Sequence, residues 1–184
     1  MDMKKFYKIQ SEFGYSPLQY VGPVPEEYKS EETMSGYNDA GLDYMDAVKC
    51  GMAKPPVIPL PYKTYSGGKI GDYHDSGVTL AYAVVSDNFK QCLSEFGISG
   101  FLVNEAVITR GKRTYNNYWA LHVTGRIEVL PYPKNHILRS WDGTDFFVAD
   151  IRLFSLYCTE RVKKAVEDSK LKGATFTEVM FYEM

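Results

Sequence analysis

Apolar and polar positions fall into two stretches of matching rhythm, 80–108 and 154–181. In the first, LAYAVV (80–85) predicts a buried strand. Ser86 stands where a helix N-cap belongs, and Asp87 puts negative charge at the positive end of the helix dipole. Phe89, Leu93 and Phe96 recur at helical spacing, Gly97 and the Ile-Ser-Gly stretch (98–100) end the helix, and FLVNEAVI (101–108) predicts the next strand. In the second stretch a strand leads into Thr159 and Glu160. Val162, Ala165 and Val166 form the apolar helix face, Leu171-Lys172-Gly173 ends it, and ATFTEVMF (174–181) supplies a strand. The two align without a gap at an offset of 159 − 86 = 73. Phe89 meets Val162, Leu93 meets Val166, Ile98 meets Leu171, Gly100 meets Gly173 and Glu105 meets Glu178. Caps, core positions and closing glycines repeat together, so the pattern predicts a duplicated strand–helix–strand unit.

Between the copies, Trp119, Leu121 and Val123 alternate, as do Ile127 and Val129, and Gly125-Arg126 predicts a two-residue turn joining them into an antiparallel hairpin. Asp142-Gly143 predicts a further turn. On the N-terminal side, KKFYKI (4–9) predicts a strand. Asn38 predicts the cap of a helix from about Asp39 to Cys50, with Leu42, Met45 and Val48 at helical spacing and Gly51 just past its end. The prolines of PPVIPLPYKT (55–64) exclude helix and demote any strand there to a sheet edge. The expected fold is α+β, a single domain over 1–184. Residues 1–78 form an irregular part with one strand and one helix. Residues 79–184 hold two similar strand–helix–strand units joined by the antiparallel hairpin.

Composition narrows the function classes. A hydrophobic share of 45% permits an ordinary core, and charged residues at 24% with a net charge of -2 argue against nucleic acid and anionic membranes as partners. Fifteen tyrosines suit sheet packing or a recognition surface. No stretch approaches the roughly 20 apolar residues that span a membrane. The N-terminal MDMKKFYKIQ lacks the apolar run of a signal peptide, and Cys50, Cys92 and Cys158 fit neither a disulfide framework nor zinc spacing. Reduced thiols in a cytoplasmic protein are the expectation.

Candidate chemistry is sparse. His74, flanked by Asp72 and Asp75, lacks a metal-ligand spacing, and so do His122 and His136. His122 reads as a surface or half-buried strand residue, and Cys92, matched by Ala165, as a space-filling one. The glycines at 67, 68 and 71 open no helix pattern, so a phosphate loop is not predicted. Asp142 and Asp145 in D-G-T-D lack the fuller ligand set of a calcium loop. The matched pair Glu105 and Glu178 is the one candidate for paired carboxylates. No catalytic residue, metal or cofactor is predicted.

The KKFYKI strand, the V-V-S (84–86) entry to a helix closed by I-S-G (98–100), the segment W-D-G-T-D-F-F (141–147) and the units T-E-R-V-K-K-A-V (159–166) and L-K-G-A-T-F (171–176) resemble bacterial immunity proteins of polymorphic-toxin systems, a group first catalogued as a domain of unknown function. The resemblance covers most of 79–184 and the N-terminal strand. It implies a cytoplasmic, non-catalytic protein that binds and neutralises a cognate protein toxin. A small-molecule-binding regulatory module is the alternative, and a hydrolase with an unrecognised site is the next. The expected partner surface joins Tyr115 and Tyr118 to the turn bearing Trp141, Asp142 and Asp145, because recognition concentrates on loops held by rigid scaffolds.

Overall fold

The computed structural model describes residues 3–23, 44–64, 68–76, 80–131, 136–149 and 155–183. In chain order the elements are β1 (Met3–Ser11), β2 (Leu18–Tyr20), α1 (Tyr44–Lys49), β3 (Leu60–Thr64), β4 (Tyr73–Asp75), β5 (Ala83–Ser86), α2 (Asp87–Glu95), β6 (Phe101–Arg110), β7 (Arg113–Val123), β8 (Ile127–Pro131), β9 (His136–Trp141), β10 (Phe146–Phe147), β11 (Leu156–Cys158), α3 (Glu160–Asp168) and β12 (Ala174–Glu183). The class is α+β and mostly sheet. One six-stranded sheet runs β2-β3-β6-β7-β5-β4, the other β10-β11-β1-β12-β9-β8. The N-terminal strand β1 lies inside the second sheet, paired to β12 from Met3↔Tyr182 to Ser11↔Ala174 and to β11 on its other side.

The helices form as their sequences dictate. Ser86 Oγ accepts from Phe89 N at 3.2 Å, capping α2, and Phe89, Cys92 and Leu93 are its buried face. Val162, Ala165 and Val166 are the buried face of α3, whose N-cap Thr159 spends its hydroxyl on Asp145 instead of the helix. Both helices close with paired bonds from the following turn: Ile98 N to Leu93 O and Gly97 N to Ser94 O, then Leu171 N to Val166 O and Lys170 N to Glu167 O. Gly97 adopts the left-handed conformation freely at φ 59°, but Lys170 does so at φ 54° with a Cβ in the way. Lys170→Gly is therefore expected to stabilise the protein by roughly 1 kcal/mol, read as a higher urea midpoint at unchanged slope.

One core lies where the two helices meet the sheets. Phe89 and Leu93 from α2 and Val162 and Val166 from α3 join Tyr7, Val85, Leu121, Phe146 and Cys158 there. Each large side chain so buried contributes about 1.5–3 kcal/mol. Cys92 does fill space: it is buried, and its thiol donates to the Ala165 carbonyl at 3.3 Å. A second cluster, including Tyr62, Leu80, Ile108 and Ala120, lies under α1 on the first sheet, and a third gathers Phe6, Ile127, Leu138, Phe147 and Phe181 on the second.

Three expectations fail here. The described part of residues 1–78 holds four strands, β1 to β4, where one was expected, because short segments on that side complete the first sheet and β1 enters the second. The Gly125-Arg126 step is not a hairpin turn, because β7 and β8 belong to different sheets. The hairpin is β6–β7, closed at Gly111-Lys112 with Arg110 opposite Arg113. Gly125 serves a backbone crossing instead: its N–H donates to Gly100 O, and a Cβ there would strike Thr144 and the Phe146 carbonyl. Nor is the proline-rich strand an edge. β3 sits between β2 and β6, with Leu60 and Tyr62 fully buried. Pro61 is tolerated because the ladder uses its carbonyl, which accepts from Val21 N at 3.0 Å. Of the predicted helix 39–50, the part beyond residue 44 is seen; Asn38 and Leu42 lie outside the described residues, as do the acidic run 26–32 and Gly67.

Candidate functional site

The five residues singled out as a partner surface do not share one. Trp141 ends β9 half-buried, with its ring 5.1 Å from Phe6 and 6.0 Å from Phe147, and its Nε1 donates to Thr144 O at 3.1 Å. The Lys4 ammonium lies 5.0 Å from the same ring. Asp142 is exposed but fully bonded: Oδ1 accepts from Thr144 N (3.0 Å) and Oγ1 (2.5 Å), and Oδ2 from Arg126 N (2.7 Å). Partial burial pushes its carboxyl up, and these bonds outweigh it, so its pKa falls below the usual carboxylate value. Trp141, Asp142, Arg126 and Glu128 line an open cleft of about 510 Å³.

Asp145 is corrected from partner contact to internal tie. Only 3% of it is exposed, and four donors hold its carboxylate. Oδ2 accepts from Ser99 N and Oγ, both at 3.1 Å, and from Arg161 Nη1 at 2.9 Å; Oδ1 accepts from Thr159 Oγ1 at 2.7 Å. The group therefore joins the end of α2, the start of β10 and the cap of α3.

Tyr115 and Tyr118 line a different cleft, of about 610 Å³, where the first sheet meets the turn before β12. Tyr118 is buried, its hydroxyl donates to Gly71 O at 2.9 Å, and burial pushes its pKa up to about 12. Tyr115 is half-buried. The same cleft takes in Tyr15, Lys69, Arg110 and Lys172, none of which the sequence patterns had singled out. They come from four separate segments, so no local spacing announced them.

Of the candidate chemical residues, His74, His122 and the three cysteines are used inside the fold, and the side chain of His136 lies outside the described part. His74 is fully buried, with Nδ1 at 2.8 Å from Ser16 O and Nε2 receiving Gly71 N–H at 3.0 Å, and burial lowers its pKa. His122 is buried too, contrary to its expected half-exposed place, because α1 and Leu80 cover that face of the first sheet. Its Nε2 lies 3.0 Å from Asn104 Nδ2. Among the described residues its Nδ1 has no hydrogen-bond partner of good geometry, although the Val48 and Leu80 carbonyls lie near, and burial lowers its pKa to about 4. The three cysteines are free and buried, and burial pushes each thiol up. Glu105 and Glu178 stand exposed on strands of different sheets, and Glu178 pairs with Lys5 at 2.7 Å. Among the described residues, no group of three His, Cys, Asp or Glu could hold a metal ion, and no helix is long and apolar enough to cross a membrane.

No protein-family model matches this chain, and no curated protein matches it.

Proposed function

We propose that the protein is a non-catalytic binding protein of the cytoplasm that neutralises a cognate protein toxin by direct complex formation. One observation carries the reading. Among the described residues His74, His122 and the three cysteines are buried, and the exposed Glu105 and Glu178 stand on different sheets, whereas the accessible features include open clefts lined by aromatic and charged groups. Such clefts suit recognition, in which aromatic anchors and charged rims carry affinity and register. The resemblance of the V-V-S, I-S-G and W-D-G-T-D-F-F segments to immunity proteins supplies the class of partner.

The scaffold we infer is two similar strand–helix–strand units. Its support is positional. The helices Asp87–Glu95 and Glu160–Asp168 are displaced by 160 − 87 = 168 − 95 = 73 residues. Asp72 and Asp145, at the same offset, accept from the cap hydroxyls of Ser86 (2.6 Å) and Thr159 (2.7 Å). They also accept from the backbone N–H of Lys172 (2.8 Å) and Ser99 (3.1 Å), each reaching into the other unit. Lys90 lies over Trp119 and Lys163 over Tyr7, again at that offset in the helices. In this scheme β1 takes in the second sheet the place β7 holds in the first. Two units tied crosswise by the buried Asp145 and the half-buried Asp72 make a stiff platform, and a blocker needs one to present a surface at little entropic cost.

The test is co-expression with the toxin-like product of an adjacent gene. The expected result is protection of the host cell and a complex that survives gel filtration. Neither protection nor complex would overturn the reading.

A further inference from the structure

We propose that the cleft between Tyr115 and Lys172 is a binding site for a phosphorylated, ring-bearing small molecule of nucleotide size. Lys69, Arg110 and Lys172 converge on it from the loop before β4, the end of β6 and the turn before β12. Lys69 and Lys172 are exposed, and neither makes an ion pair among the described residues. Positive charge gathers further at this end of the first sheet. Arg113 lies opposite Arg110 across the hairpin, so the two side chains share one face of the sheet. A chain of net charge -2 thus carries a local basic face that its composition conceals. Converging cations with donors in several directions suit a phosphate more than a lone neutral group.

The remaining wall is aromatic. The Tyr15 ring rests on two glycines: a Cβ on Gly71 would collide with it, and one on Gly173 would come to 3.2 Å. Tyr118 is pinned by its bond to Gly71 O, and Tyr115 stands beside it on β7. Fixed tyrosine rings next to cations are the combination that holds a base and its phosphate together. The volume of about 610 Å³ suits a ligand of that size. Two carboxylates lie near. Asp72 has both oxygens occupied, by Ser86 Oγ and Lys172 N, and Glu12 bears on the Tyr15 side. Among the described residues Lys69, Arg110 and Lys172 outnumber these two carboxylates.

The cleft is one of the two offered above for recognition, but the proposal needs no partner protein and its test does not depend on toxin binding. Calorimetric titration of the full chain with ADP tests it, with adenosine, inorganic phosphate and a polyglutamate peptide as comparison probes. ADP is expected to bind at sub-millimolar Kd, with adenosine and phosphate each about tenfold weaker or worse, since each lacks half of the contacts. The double variant K69E/K172E is expected to weaken ADP by at least about tenfold while keeping the wild-type unfolding midpoint, because both side chains are exposed. Tyr115→Ala is expected to weaken ADP and leave phosphate unchanged. No heat with ADP at millimolar concentration would overturn the proposal, and so would ADP binding indifferent to K69E/K172E. Binding of polyglutamate in place of ADP would overturn it in favour of an acidic protein segment.

Discussion

Asp145→Ala is expected to cost about 2 kcal/mol of folding stability, since a hydrogen bond to a buried charged acceptor contributes roughly 1.5–3 kcal/mol and the half-buried Thr159 cap is left without one. The Ser99 N–H, the Ser99 hydroxyl and the Thr159 hydroxyl all lose their acceptor; Asp145 itself is only 3% exposed, whereas Ser99 lies at the surface, where water can replace part of what is lost. The Arg161 pair adds little, because 61% of the Arg161 side chain is in water. Asp142→Ala is the internal comparison: its carboxylate accepts three bonds but at the exposed surface, where water replaces the lost acceptor, and a cost near 1 kcal/mol is expected. Urea unfolding of both variants measures the difference. An Asp145→Ala midpoint close to that of Asp142→Ala would refute the role given to the buried tie.

The second large effect is acid lability centred on His122. Folding depresses its pKa from the ordinary 6.5 to about 4 through burial. The sign follows from proton uptake: between these values the unfolded chain binds a proton that the folded imidazole refuses. Stability is therefore complete above about pH 6.5, falls as pH drops toward 4, and levels off below it. At about 1.4 kcal/mol per pH unit the full loss is about 3 kcal/mol. His74, also lowered by burial, acts in the same direction. Asp75 opposes them, because burial raises its pKa and the folded state takes up that proton more readily. Urea midpoints at pH 7, 6, 5 and 4.5 would trace the fall. His122→Gln can keep the Asn104 contact without titrating, and is expected to flatten most of the slope. An equally steep loss in that variant would assign the acid sensitivity elsewhere.

Local grammar was legible because its causes are local. Ser86 as a cap, the Phe89–Leu93 face, the closing Gly97 and the KKFYKI strand all depend on neighbours within a turn or on strict alternation. The hairpin was misassigned for the same reason. Gly125 stands at a break in an alternating run, and only the partner strands distinguish a crossing between sheets from a turn within one. His122 was misplaced because alternation says which face a residue takes, not whether a helix such as α1 later covers that face. The W-D-G-T-D segment was visible as a turn, but its two aspartates part company in space: Asp142 closes the turn at the surface and Asp145 points inward.

The amino-acid sequence by itself therefore determined the helices, their caps, their apolar faces and the match between the stretches around them. Caps, faces and offsets need only short-range bonding and periodicity. Tertiary structure alone decided that β1 enters the second sheet between β11 and β12, and that Asp72 and Asp145 reach across to Lys172 and Ser99. It alone brought Tyr15, Lys69, Arg110, Tyr115 and Lys172 to one cleft. Contacts between residues as far apart as 100 positions are set by how whole sheets pack, and no local spacing encodes them.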